Sequence, residues 1–212
     1  MAKVVFFDVA NTLLEKPAVY LAIQRVLKEH GFETDIKEII LKHKLLSEVI
    51  EFPDRTSSAF YTGFNKDLLY MLGIIPSDHL LSEIFKACTY LPWVPFADTS
   101  ILKKLDLPLG IISNWNSSLE EKLTEHFQVS FQWILGSEKE QIRKPQRAFY
   151  ERVIDRSGFD AQDMVYIGDS IKLDVEPAQS LGIKAILIDR IGAYPNASVR
   201  RITSLEDLPK HL

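Results

Sequence analysis

The stretch KVVFFDVANTLL places an aspartate, Asp8, directly after a short apolar run, Val4 to Phe7, with Ala10 two residues further on. Comparable polar endings recur along the chain. LGIISN closes an apolar run on Ser113 and Asn114, RKP sets Lys144 before a proline, and MVYIGDS closes another run on Asp169, with Asp174 close behind. Taken singly, each has a plain explanation. An Asp after a strand caps a turn or helix, a Ser-Asn pair makes an Asx turn, and a Lys before Pro is solvated. Gathered at one edge of a parallel sheet, they describe a site, because such sheets bind ligands beyond the carboxyl ends of their strands, where strand order switches. Three carboxylates in one cleft repel each other unless a cation neutralises them. A lysine and a hydroxyl beside them supply donors for an oxyanion. The set predicts a Mg²⁺-assisted phosphate site, since Mg²⁺ takes one or two carboxylates together with water and a phosphate oxygen.

The elements needed to position these residues are present in the pattern. Leu109 to Ile112, Met164 to Ile167 and Ala185 to Ile188 are continuous apolar runs bounded by Gly, Asp or Ser, as in buried parallel strands. Phe131 to Leu135 is a weaker strand candidate. Helical patterns lie between them. Ser117 and Glu120 have capping-box spacing ahead of Leu119, Leu123 and Phe127, and Pro145 fits a first helical position before Phe149 and Val153. This alternation predicts right-handed crossovers and a doubly wound α/β sheet.

Between the first strand and the second half the alternation stops. Val19, Ile23, Val26 and Leu27 form one helical stripe, with Gly31 as its stop; Phe64, Leu68, Met71 and Leu72 form another, and Leu81, Ile84, Phe85 and Cys88 a third. The expected organisation is an α/β core of residues 1–14 and 93–212, interrupted by an all-helical lid of residues 15–92. LPWVPF, with Pro92 and Pro95, is expected to be the return hinge.

Composition narrows the function classes. With 46% hydrophobic residues the chain has ample material for a core, so disorder is excluded. A net charge of −4 with no basic run makes nucleic acid and anionic membrane surfaces poor partners. No apolar stretch approaches membrane-spanning length, and Asp8 interrupts the opening run too early for a signal peptide. The single cysteine, Cys88, fits a reducing compartment and core packing. The expected location is the cytoplasm. The histidines His30, His43, His79, His126 and His211 show no metal-ligand spacing along the sequence.

At this point the chain resembles the haloacid dehalogenase (HAD) superfamily. DVANTL resembles its first motif, Ser113 of IISN its second, Lys144 of RKP its third and GDSIKLD its fourth, in the family order, and the helical insert resembles the family's cap. The resemblance implies a Rossmann-like core with a helical cap and hydrolysis of a small phosphorylated metabolite. It implies Asp8 as nucleophile through an aspartyl-phosphate. Mg²⁺ would be held by Asp8, the main-chain carbonyl of Ala10 and Asp169, supported by Asp174. Ser113, Asn114 and Lys144 would bind the phosphoryl group, and Lys144 would offset its charge. Trp115 could line the pocket, and Arg55 and Tyr61 could reach substrate.

Ala10 departs from the family pattern. Its phosphatases place an aspartate there to protonate the leaving group and then activate water. Losing such a group costs about 10²–10⁴ in rate. The expectation is therefore an impaired or atypical phosphatase, with two alternatives: a phosphate-binding scaffold without turnover, or cleavage of a carbon–phosphorus or carbon–halogen bond.

Overall fold

The structure, a computed structural model, describes residues 2–212. Strand β1 (Val4–Phe7) and the short β2 (Leu14–Glu15) precede four helices, α1 (Pro17–Glu29), α2 (Ile36–Val49), α3 (Ser58–Met71) and α4 (Asp78–Cys88). The chain continues through β3 (Val94–Pro95), β4 (Leu109–Ser113), α5 (Leu119–His126), β5 (Trp133–Gly136), α6 (Ser137–Glu140) and α7 (Arg147–Ser157). It ends with β6 (Met164–Gly168), α8 (Glu176–Ser180), β7 (Lys184–Ile188) and β8 (Arg201–Ile202). Two compact units result, one of Met1–Glu15 with Val94–Leu212, the other of Lys16–Trp93. No helix among the described residues is long and apolar enough to cross a membrane.

The first unit is an α/β fold around a six-stranded sheet in the order β5-β4-β1-β6-β7-β8, all its pairs parallel. β1, β4 and β6 are buried along their whole length, as strands covered on both faces must be. Order reverses at β1, so the ends of β4, β1 and β6 lie side by side. Gly110 is required where β4 passes β1, because a Cβ there would come within 2.2 Å of the Phe6 ring. A separate antiparallel pair joins Leu14 to Pro95 and Glu15 to Val94, within the segment expected to be a hinge.

Three local expectations need correction. The capping box on Ser117 does not form. The main-chain N–H of Ser117 is taken by Glu138 Oε2 at 2.7 Å, and Ser118 is the N-cap of α5. Pro145 lies outside α7, whose N-cap is Gln146, although Phe149 and Val153 are buried as the spacing requires. Met71 is 39% exposed while Leu69 takes the inward position beside Leu68.

The helical unit closes on its own core, in which Ile23, Leu27, Ile39, Phe64, Leu68 and Ile84 are buried. Each such side chain contributes about 1.5–3 kcal/mol relative to exposure. Asp35, Ser57 and Ser77 cap α2, α3 and α4 with side-chain hydrogen bonds. Cys88 is half-buried against this core, and burial pushes its thiol up to about 11, which leaves it protonated and unreactive.

His43 of α2 is edged by the rings of Tyr20 at 5.3 Å and Phe64 at 4.8 Å. Burial, with a smaller contribution from Lys44, pushes its imidazole down to about 4. An unfolded histidine titrates near about 6.5, so below that value the unfolded chain takes up a proton that the folded unit refuses. The stability gained from keeping His43 neutral is therefore complete above about pH 6.5 and lost as pH falls toward about 4. The residue keeps some exposure, so about 3 kcal/mol is an upper bound. Circular-dichroism melts of wild type and His43→Phe across this range should show a steeper acid loss in the wild type. Parallel acid limbs would remove His43 as the cause.

Candidate active site

The strand order delivers the first contacts. The Asp8 N–H donates to Ile167 O at 2.9 Å, which fixes Asp8 one step beyond β1, level with the end of β6. On the other side, Ser113 ends β4 and its hydroxyl donates to Asp8 Oδ1 at 2.9 Å. Asp8, Ser113, Lys144, Asp169 and Asp174 are all buried.

Lys144 is held by its main chain rather than by a helix. Its N–H donates to Asn114 Oδ1 at 2.8 Å, and Asn114 Nδ2 donates to its carbonyl at 3.0 Å. From that anchor the ammonium reaches Asp174 Oδ1 at 2.6 Å, Asp8 Oδ1 at 2.7 Å and the Tyr166 hydroxyl at 3.3 Å. All three N–H donors of the ammonium are thus spent.

Asp174 sits in a π-helical turn, Ile171–Val175, that leads into α8. Its Oδ2 accepts from Ser170 N at 3.0 Å, and its Oδ1 lies 2.8 Å from the Tyr166 hydroxyl. The carboxyl packs directly on Gly168, where a Cβ would come within 2.2 Å of it. Any other residue at 168 would displace this carboxylate.

Electrostatics follow from this crowding. Burial pushes the Asp8 carboxyl up to about 6; Lys144 opposes the rise, while Asp174 and Asp169 add to it. Burial disfavours the Lys144 ammonium, but Asp174 and Asp8 outweigh it and raise its pKa, so the lysine stays charged. Burial and then Asp174 push the Tyr166 hydroxyl well up, which keeps it protonated. Tyr150, also pushed up chiefly by burial, donates to the Leu173 carbonyl within the same turn.

The donor set suits a hard divalent ion. Oxygen atoms of Asp8, Asp169 and Asp174 lie within 4.8 Å of one another. With these three ionised and one ammonium beside them, the formal charge is −2, which one divalent cation cancels. Asp8 Oδ2 receives no hydrogen bond among the described residues, both side-chain donors going to Oδ1. An all-oxygen, carboxylate-rich set of this kind fits Mg²⁺.

Sequence-predicted residues divide accordingly. Asp8, Ser113, Lys144, Asp169 and Asp174 come together. Both polar side-chain atoms of Asn114 are taken up by the Lys144 main chain. Ala10, half-buried in the bend after β1, bridges to Leu14 and brings no titratable group. Trp115 turns its indole N–H to Ser118 Oγ at 3.2 Å. In the helical unit, Arg55 is exposed, and Tyr61 packs against Phe60 and Phe85. Tyr166 was not among the sequence candidates. Its only signal was a hydroxyl-bearing residue inside an otherwise apolar strand, which core packing also explains.

The chain is similar to known proteins. Residues 99–188, from just before β4 to the end of β7, match the family described as haloacid dehalogenase-like hydrolase. The chain is 27% identical to haloacid dehalogenase-like hydrolase domain-containing protein 3 of Danio rerio, over 98% of this chain and 95% of that one. It is 24% identical to glyceraldehyde 3-phosphate phosphatase of Methanocaldococcus jannaschii, over 100% of this chain and 99% of the relative. A 2-haloacid dehalogenase from Pseudomonas syringae superposes with a TM-score of 0.59 and 26% identity, over 99% of this chain and 97% of that one. The similarity runs from end to end, and residues 99–188, which include the strands that position Ser113 and Asp169, match a haloacid dehalogenase-like hydrolase domain.

Proposed function

We propose that the protein transfers a phosphoryl group from a small phosphorylated metabolite to Asp8, with Mg²⁺ bound at Asp8, Asp169 and Asp174. The observation that carries this reading is the asymmetry of Asp8. Ser113 and Lys144 fix its Oδ1, its Oδ2 is left without a donor among the described residues, and the carboxylate clusters with those of Asp169 and Asp174. Similarity to a protein named as a phosphatase supports it. A carboxylate is a usable nucleophile once oriented, and catalysis at phosphorus is mostly positioning and charge stabilisation. Bound Mg²⁺ would supply charge neutralisation on the phosphoryl oxygens.

In this reading an Asp8 oxygen forms the new bond to phosphorus while the leaving oxygen departs with its bonding electrons. Ser113 turns its hydroxyl from Asp8 to a phosphoryl oxygen once the phosphoryl group is bound, Lys144 offsets the negative charge of nucleophile and phosphate, and Asn114 holds Lys144 in place for that role. The aspartyl-phosphate is then hydrolysed by water. Ala10 can neither protonate the leaving oxygen nor activate that water, so both steps are slow and groups that leave as stable anions react best.

That same deficiency favours a second reading. Halide departs without a proton, and the chain is 26% identical to the Pseudomonas syringae dehalogenase. The carboxylate cluster weighs the other way, toward a metal and phosphate.

Two experiments test the assignment. Mixing the protein with Mg²⁺ and an aryl phosphate or acetyl phosphate should leave a phosphoryl group on Asp8, detectable by mass spectrometry. Asp8→Asn should abolish both this adduct and turnover. Ala10→Asp should raise aryl phosphatase activity by about 10²–10⁴. No adduct, no gain from Ala10→Asp and turnover of a 2-haloacid instead would transfer the assignment to carbon–halogen cleavage.

The second concerns Lys144. Lys144→Met leaves Asp8 and Asp174 buried without their shared cation, a loss of about 3–5 kcal/mol. The cost should fall toward the lower end, because Asp8 takes up a proton when its partner is gone. Tyr166→Phe removes one hydrogen-bonding hydroxyl and should cost less, about 1–3 kcal/mol. Urea melts should preserve this order. A Met variant as stable as wild type would mean that the ammonium does not hold the two carboxylates together.

A further inference from the structure

We propose that His30, His79 and Glu83 of the helical unit form a binding site for Zn²⁺ or a similar late first-row divalent ion, separate from the carboxylate cluster of the α/β unit. Sequence spacing gave no sign of it because the ligands are shared between two elements. His30 is the residue that ends α1, while His79 and Glu83 stand at i,i+4 on α4 and so share one helix face. The fold brings one ligand atom from each to within 4.8 Å of the other two. The His30 and His79 rings meet edge to face with centroids 5.4 Å apart, and His30 Nε2 lies 3.9 Å from Glu83 Oε2.

These separations are close to what coordination needs. Ligand atoms at about 2.0–2.1 Å in a tetrahedral shell are about 3.3 Å from one another. The present spacing therefore needs a contraction of about 1.5 Å or less, which side-chain rotation supplies without moving either helix. His79 is exposed and the other two are half-buried, so an ion has access. No ring nitrogen of His30 or His79 is committed to a hydrogen bond among the described residues, so both remain available as ligands.

Donor chemistry selects the ion. Two neutral imidazoles and one carboxylate suit Zn²⁺, which binds three protein ligands and leaves a fourth position to water, whereas Mg²⁺ and Ca²⁺ prefer oxygen. The two clusters thus differ in preference, one all-oxygen and buried, the other nitrogen-rich and accessible. An ion held here ties the end of α1 to α4 and stabilises the helical unit by mass action.

Isothermal titration of the full-length protein with Zn²⁺, in saturating Mg²⁺ to fill the carboxylate cluster, tests the proposal. The expected result is one Zn²⁺ per chain, with a dissociation constant on the order of micromolar because only three ligands contribute. His79→Ala and Glu83→Gln should each weaken it by at least about tenfold, while their melting temperatures in EDTA match wild type, since neither side chain is in the core. Asp8→Asn should keep this Zn²⁺ binding, which separates it from the other cluster. No Zn²⁺ uptake below about 100 µM, or equal uptake by wild type and His79→Ala, would overturn the proposal.

Discussion

The α/β unit is organised around one buried ammonium. Lys144 Nζ lies 2.7 Å from Asp8 and 2.6 Å from Asp174, with lysine and both carboxylates almost wholly withdrawn from water. Desolvating such charges costs several kcal/mol per ion, and only close geometry with complete hydrogen bonding recovers it. The surroundings meet that condition closely. Tyr166 takes the third ammonium donor, Ser113 bonds Asp8, and Ser170 bonds the far oxygen of Asp174. Asp8 Oδ2 receives no hydrogen bond among the described residues, and Asp8 clusters with Asp169 as well as Asp174, so the carboxylates outnumber the ammonium. The ion triad therefore fixes Asp8, the nucleophile of the proposed reaction, and leaves an unbalanced charge that a divalent cation would neutralise.

Much of the surrounding structure serves to hold these three side chains in register. Asn114 grips the Lys144 main chain by two hydrogen bonds, so a residue on β4's exit positions a residue from a distant loop. Gly168 lets Asp174 lie against the end of β6, closer than any Cβ would allow. The loop after Asp8 is tied from the opposite side. Arg190 donates to Thr12 O at 2.8 Å while pairing with Asp98 at 2.6 and 3.0 Å and stacking on Phe96. Asp98 in turn accepts from Ser204 and Leu205, which links that loop to the segment after the last strand. None of these residues has a reactive role in the proposed chemistry; they limit how far Asp8 can move.

What the sequence made legible follows from how strongly each feature is constrained. β1, β4 and β6 are buried on both faces and so appear as unbroken apolar runs. β5 was harder to read because Trp133 and Ile134 are only half-buried at the sheet's edge. The β2–β3 pair is two residues long on each side, too short for any periodicity. Asp8, Ser113 and Asp169 were visible because polar residues at strand ends are conspicuous, and Lys144 and Asp174 because they stand before a proline and just after the Asp169 strand end. Tyr166 was not, because a buried tyrosine looks apolar until its hydroxyl's partners are known. Asn114 illustrates the same limit: its type suggested substrate contact, while its position commits it to a neighbouring backbone.

Ala10 can be judged against this division of labour. In the proposed reaction the electrostatic part of the site consists of Lys144, Ser113, the carboxylate cluster and main-chain groups. None of these depends on the side chain at position 10. Electrostatic preorganisation is usually the largest contribution to catalysis, and a positioned acid or base typically adds about 10²–10⁴. Replacing the aspartate expected there by alanine therefore removes proton transfer while the charge clamp stays complete. Asp8 cannot take over, because the oxygen that attacks is no longer a base once bonded to phosphorus, and Lys144 holds its proton firmly between two carboxylates. The burden falls on the leaving group, which must be stable without a proton. The same physical constraint ranks aryl and acyl phosphates above alkyl phosphates, and it makes halide an acceptable leaving group as well. In the proposed reaction, substrate choice is thus limited by leaving-group acidity before any contact with the rest of the substrate is considered.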